Sequence, residues 1–260
     1  MTPEPKDVIG ADIIRAQAEL VDALSELEKM PSPGAVMYAR HALSNYLSVM
    51  GLAIELVARR LENHPDLLLR RLVNGVALAV ELMTGEVGRL AMGPVSTENA
   101  LRFEPVDLTE SLQRFCDYYQ DTASGKLIRL INDSADDVAP VLVDRVAMLS
   151  VLDSLISNAI KFSPPDRRVW LGVRSENDTV VCRVRDEGPG LNEEDQARLF
   201  QKGARLTPRP TAGEASTGYG LAVAKDLVDK LGGSIRCESV LGQGTTFFIQ
   251  FPAYRNAAPA

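Results

Sequence analysis

Asn158 and Lys161 lie three residues apart in Asn158-Ala-Ile-Lys161, inside the apolar helical pattern of residues 145–161, so both side chains leave the helix on one face. The neutral amide oxygen can complete the octahedral shell of a Mg2+ ion that keeps its waters and phosphate oxygens, and the ammonium can neutralise a phosphate. Asp186 ends an apolar strand and is followed by Gly188-Pro-Gly190. Its carboxylate can accept the exocyclic amine of adenine, and backbone without side chains lets a planar ring come close. Gly218-Tyr-Gly220-Leu221 opens a further helix, whose first amides can cradle phosphate. Gly242-Gln-Gly244-Thr245 reads as a hairpin turn whose outgoing strand leads Thr245 back toward the same place. Singly, these patterns also describe a solvated helix face, a strand-ending turn, a helix cap and a hairpin. Their order within residues 150–246 points to one site for ATP and Mg2+.

The elements that must carry this site follow from periodicity. Residues 7–30 read as an amphipathic helix, closed by Pro31, Pro33 and Gly34. From Val36 the apolar residues Leu43, Leu47, Met50, Ile54, Val57 and Leu61 step by four and three as a heptad seam; residues 62–66 break it, and Leu69, Leu72, Val76, Ala79 and Met83 resume it to about Leu90. The product is an antiparallel helical hairpin. A lone hairpin leaves a stripe of each helix uncovered, so a homodimer packed as a four-helix bundle is expected. With Leu47, Ile54 and Leu61 as heptad a positions, His41 falls at b and Asn45 at f, neighbours outside the seam. There an imidazole could attack a γ-phosphate and an amide could orient a water. His64, in Asn-His-Pro, reads as a loop residue.

Gly93, Pro94 and the polar run 96–99 read as a linker, with a boundary near residue 95. The expected order is therefore a helix over 1–32, a hairpin domain over 33–95, a mixed α+β domain over 96–254 and a tail over 255–260. Inside the α+β domain the patterns predict helices over 108–119, 145–161 and 221–231, and strands over 127–132, 169–174, 180–186, 234–239 and 245–251. Residues 201–217, poor in apolar side chains, read as a long flexible lid, with Arg205 or Arg209 available to phosphates.

Composition narrows the class further. The 260 residues are 45% hydrophobic, enough for a real core. A net charge of -7 and a sequence pI near 5.0 oppose a general nucleic-acid surface and favour protein or small-molecule partners. Three widely spaced cysteines, Cys116, Cys182 and Cys237, suit reduced core thiols better than a disulfide framework. No apolar run reaches membrane-spanning length and the first residues lack a signal h-region, so a cytoplasmic protein is expected.

The four glycine- and Asn-bearing segments resemble the N, G1, G2 and terminal glycine boxes of the ATP-binding domain shared by histidine kinases, gyrase-like ATPases, Hsp90 chaperones and MutL-type repair proteins. The likeness covers about residues 105–252, and Phe200 resembles a shortened histidine-kinase F box. The hairpin resembles the dimerisation and phosphotransfer domain of histidine kinases, whose motif is His, an acid, Leu, Arg, Thr or Asn, Pro, Leu; this chain reads His41-Ala42-Leu43-Ser44-Asn45-Tyr46-Leu47. The resemblance implies an α/β-sandwich ATP-binding domain. It also implies autophosphorylation on His41, transfer to an Asp of a response regulator receiver domain, and signals from a separate sensor protein. Ala42 cannot take up the imidazole proton as the usual acid does, a loss on the order of 100-fold. Asn45 is the residue type linked to dephosphorylating the regulator, so a phosphatase or phosphotransfer module is the alternative. Tyr46 replaces a Pro, so a helix kink is not expected. Gyrase-type hydrolysis needs a Glu one turn before Asn158, where this chain has Ser154.

Overall fold

Asp66 starts the second helix of the hairpin by accepting the backbone N–H groups of Leu68 (2.9 Å) and Leu69 (3.2 Å). In a computed structural model of the chain, which describes residues 33–61, 63–90, 101–214 and 218–255, the chain divides into two units, residues 1–101 and 102–260. The expected helix over residues 7–30 and the end of the expected tail lie outside the described residues.

In the first unit, helix α1 (Pro33–Leu61) and helix α2 (Leu67–Leu90) pack on each other. Leu47, Val80 and Val87 form a buried cluster joined by Leu43, Val76 and Met83. Gly51 faces Val80, which a Cβ would meet at an ordinary 3.6 Å. Helix α1 runs unbroken through Tyr46. His64 stands in the turn between the helices, its Nδ1 accepting the Asp66 N–H at 3.2 Å. The expected seam divides: Leu47 is buried, whereas Met50 and Val57 are 51% and 43% exposed. One neighbouring helix covers only one side of α1, and Tyr46, Leu52 and Leu56 on its remaining surface stay exposed.

The second unit is a two-layer α/β fold. Strand β1 (Phe103–Val106) precedes helix α3 (Leu108–Gly125), strands β2 (Arg129–Asn132) and β3 (Val141–Asp144), and helix α4 (Arg145–Phe162). Strands β4 (Arg168–Glu176) and β5 (Thr179–Asp186), helices α5 (Glu193–Arg198) and α6 (Gly220–Lys230), and strands β6 (Ser234–Val240) and β7 (Gly244–Pro252) follow. The main sheet has the order β2-β4-β5-β7-β6, with β2 parallel to β4 and the other pairs antiparallel. Strands β1 and β3 pair separately.

Caps explain where the helices start. Asp107 accepts from Thr109 and Glu110 at the head of α3, and Asp144 accepts from Ala147 at the head of α4. Asp144 also accepts the Arg102 N–H at 2.8 Å, which ties β1 to the same point. The expected strand 127–132 begins two residues late because Leu127 takes φ 58 in the turn after α3. Helices α3, α4 and α6 pack on the sheet and on one another around fully buried Leu112, Phe115, Met148, Leu152, Leu155, Leu171 and Ile249. Each such aliphatic side chain contributes about 1.5–3 kcal/mol by leaving water. The cysteines are free, and burial pushes all three thiols up to about 12, so they act as core hydrophobes.

Candidate nucleotide site

Asp186 is the last residue of β5 and only 7% exposed. One oxygen, Oδ1, accepts the backbone N–H groups of Gly188 (2.8 Å) and Thr245 (3.2 Å), while Oδ2 receives no hydrogen bond from the described residues. The glycines around it are steric necessities. A Cβ on Gly244, at φ +100, would lie 2.0 Å from the Asp186 carbonyl oxygen, and one on Gly188 would lie 2.7 Å from Oδ1. Gly190, at φ +68, would meet the Val240 carbonyl at 2.1 Å. Thr245 thus serves Asp186 through its backbone, since its hydroxyl is engaged with Ser239 Oγ at 3.0 Å. Burial pushes the Asp186 carboxyl up to about 6, against the pull of the two N–H groups and Arg185. At neutral pH it is an ionised acceptor held in a dry setting.

The residues expected on the phosphate side lie on α4 and at the start of α6. Asn158 is half-buried and its side chain makes no hydrogen bond to a described residue, which leaves its amide oxygen available to a cation. Lys161, one turn on, is half-buried; desolvation lowers its pKa, while Glu214 and Asp153 counteract this. Gly220 lies against α4, where a Cβ would approach Ser154 Oγ to 2.9 Å. Tyr219 supplies no side-chain cap to α6, so side chains leave that end's first amides uncovered. Gly218 takes φ +73 where a Cβ would sit 2.7 Å from Ala204 O. Leu191 is buried and Leu221 half-buried beside these turns. Asp153 turns away toward α3 and accepts the Tyr119 hydroxyl at 2.7 Å. Removing that donor in Tyr119→Phe is expected to lower stability by about 1–3 kcal/mol in urea titrations, with secondary structure retained.

The segment expected as a flexible lid is tethered along its described part. Asp195 Oδ1 accepts the Thr207 N–H (2.9 Å) and hydroxyl (3.2 Å). Thr211 donates its N–H to Lys161 O at 3.1 Å and its hydroxyl to the carbonyls of Lys161 and Ser163. The carbonyls ending a helix have no partners within it, and here the lid supplies donors. A cavity of about 360 Å3 lies between the lid and the turns, lined by Phe162, Pro189, Gly190, Thr207, Arg209 and Leu241 among others. It borders the polar site at Phe162 and Gly190 and is not lined by Asn158, Lys161 or Asp186.

His41 and Asn45 belong to α1 by backbone; their side chains lie outside the described residues. Sequence reasoning missed Phe162, Asp195, Lys126 and Glu214. Only Asp195 carried a local signal, standing three residues after the cap Asn192, which accepts its N–H at 2.7 Å.

Residues 143–255 match the family of histidine kinase-, DNA gyrase B- and HSP90-like ATPases. The circadian input-output histidine kinase CikA of Synechococcus elongatus is 36% identical over 155 residues, covering 59% of this chain and 21% of that protein. The swarming motility regulation sensor protein RssA of Serratia marcescens is 33% identical over 159 residues, covering 60% of this chain and 33% of that protein. Sensor protein SphS of Synechococcus elongatus is 28% identical over 258 residues, covering 95% of this chain and 60% of that protein. Among solved structures, full-length ShkA in complex with AMPPNP superposes with a TM-score of 0.57 at 25% identity, covering 88% of this chain and 48% of that one. Residues 143–255 therefore form a domain similar to the ATPase domains of the histidine kinase, gyrase B and HSP90 class. The first of these relatives is a histidine kinase and the other two are sensor proteins, and this chain spans between 21% and 60% of the length of the three. No helix among the described residues is long and apolar enough to cross a membrane.

Proposed function

We propose that the chain is the catalytic core of a two-component histidine kinase, working as a cytoplasmic homodimer on a response regulator receiver domain. The observation that carries the nucleotide half is the Asp186 carboxylate, buried with Oδ1 taken by Gly188 and Thr245 and with Oδ2 left to accept the adenine amine. Gly188, Gly190, Leu191 and Leu221 line the purine end. Lys161 and the amides at Gly218 and Gly220 take the phosphates. Asn158 offers Mg2+ one neutral oxygen, and the metal supplies charge neutralisation of the polyphosphate when bound.

In the kinase step an imidazole nitrogen of His41 attacks the γ-phosphorus, the bond from that phosphorus to the bridging oxygen breaks, and ADP leaves. The phosphoryl group then passes to a carboxylate of the regulator. Incubation with γ-labelled ATP and Mg2+ tests this: acid-labile label is expected on the wild type and absent from His41→Gln. The exposed Tyr46, Met50 and Val57, which share one face of α1, support the dimer, since a second hairpin would cover them.

A second reading is favoured by Ala42 and Asn45: a phosphatase or phosphotransfer module acting on the regulator with little autokinase activity. Restoring an acid separates the two. Ala42→Glu is expected to speed labelling of His41 by about 100-fold if only the general base is missing. An unchanged rate near zero, with ATP bound, would favour the module.

A further inference from the structure

We infer that Glu214 is a resident competitor for the nucleotide's phosphates: its carboxylate is held by the Lys126 ammonium at the end of α4, beside Lys161, and an entering polyphosphate must displace it. The inference rests on the ATP reading of the site and adds a residue that opposes binding.

Lys126 is fixed with all three ammonium protons used. Nζ donates to Ile160 O at 2.9 Å, Lys161 O at 3.2 Å and Glu214 Oε1 at 2.9 Å. A cation is favoured there because the carboxyl end of a helix carries partial negative charge and unpaired carbonyls. With α4 satisfied by two of those bonds, the third is free to hold an anion, and the lid supplies one. The lid also shapes it: Glu214 Oε2 accepts the Ala212 N–H at 2.9 Å, and Thr211 is pinned to Lys161 and Ser163. The pair is mostly shielded, at 14% and 31% side-chain exposure. Glu214 is also the largest electrostatic influence keeping Lys161 protonated.

The Glu214 carboxylate is therefore bonded to the one ammonium, whose own bond to the Lys161 carbonyl puts it at the end of α4, and a polyphosphate, with more charge and more acceptor oxygens, is the better partner there. Displacing Glu214 removes the lid's ionic tether at Lys126 and leaves the Thr211 bonds to Lys161 and Ser163, so phosphate entry loosens the lid end next to Glu214.

Calorimetry with Mg2+ present tests this, using ATP, adenosine and inorganic tripolyphosphate on wild type, Glu214→Gln and Glu214→Ala. The alanine variant excludes a new amide donor as the cause. Both variants are expected to bind ATP and tripolyphosphate several-fold to about tenfold more tightly, with adenosine unchanged. Nucleotide-free, both should be cut by trypsin after Arg205 faster than the wild type. Equal or weaker binding of both phosphate ligands by the variants overturns the proposal, as does an equal gain for adenosine. A gain for tripolyphosphate, with neither ATP nor adenosine bound measurably by any of the three proteins, upholds Glu214 and removes the ATP reading instead.

Discussion

Asp186→Asn is expected to abolish ATP binding while making the nucleotide-free protein more stable at pH 8. The carboxyl is raised from 3.8 to about 6 by burial, so the folded state holds its ionised form at a disadvantage. A carboxyl raised in this way contributes stability that is full below its unfolded value, near 4, and is lost as pH rises through about 6. At pH 8 the loss is complete and corresponds to about 3 kcal/mol. An amide keeps an oxygen for the Gly188 and Thr245 N–H groups and carries no charge, so most of that deficit disappears. The melting temperature should rise by about 5 °C at pH 8 and much less at pH 5. The same change sets an N–H donor against the adenine amine, and affinity should fall more than about 100-fold. Thermal melts at the two pH values and calorimetry with ATP check both halves. A destabilised variant at pH 8 would show that the carboxylate is not held at a disadvantage.

Gly244→Ala and Gly242→Ala form a matched pair with unequal outcomes. Both glycines have positive φ, +100 and +80, so each alanine meets a backbone penalty of about 1–2 kcal/mol. At Gly242 a Cβ meets nothing within 4 Å, and the cost ends there. At Gly244 it would stand 2.0 Å from Asp186 O and 2.9 Å from the Asp186 carbonyl carbon. Strand β7 must then move off β5, breaking the Thr245 bond to Asp186, and the total should reach about 4 kcal/mol or more. Urea denaturation gives the stabilities. ATP affinity should be kept by the folded Gly242→Ala protein and lost in Gly244→Ala; equal effects from the two would show that contact with Asp186 is unimportant.

Long periodic segments were legible from the chain because local burial dictates them. Strands β4 and β5 pair over eight positions, and their register follows from a two-residue turn in which Asn177 takes φ 55. The helical pattern of 145–161 lies within α4, and its cap Asp144 stands directly before it. Strands β1 and β3 were not seen. Each has four residues, β1 contains Pro105, and what makes them strands is their pairing across nearly forty residues. Helix α5 is likewise too short to show a period, although Asn192 marks its start. In the site, the Asp186 turn could be read because Gly188, Gly190 and Gly244 are glycines for local steric reasons. Lys126 and Glu214 could not, since nothing near either residue indicates a partner 88 positions away.

The Gly203 N–H donates to the Gly218 carbonyl at 3.1 Å, so the two feet of the lid stand together on a common base. The length of chain between those feet can vary at little cost, since each doubling changes closure entropy by only about 0.6 kcal/mol. What must be kept are the anchors at Thr207, Thr211 and Glu214, so a fluorescent reporter of occupancy belongs between them rather than in their place.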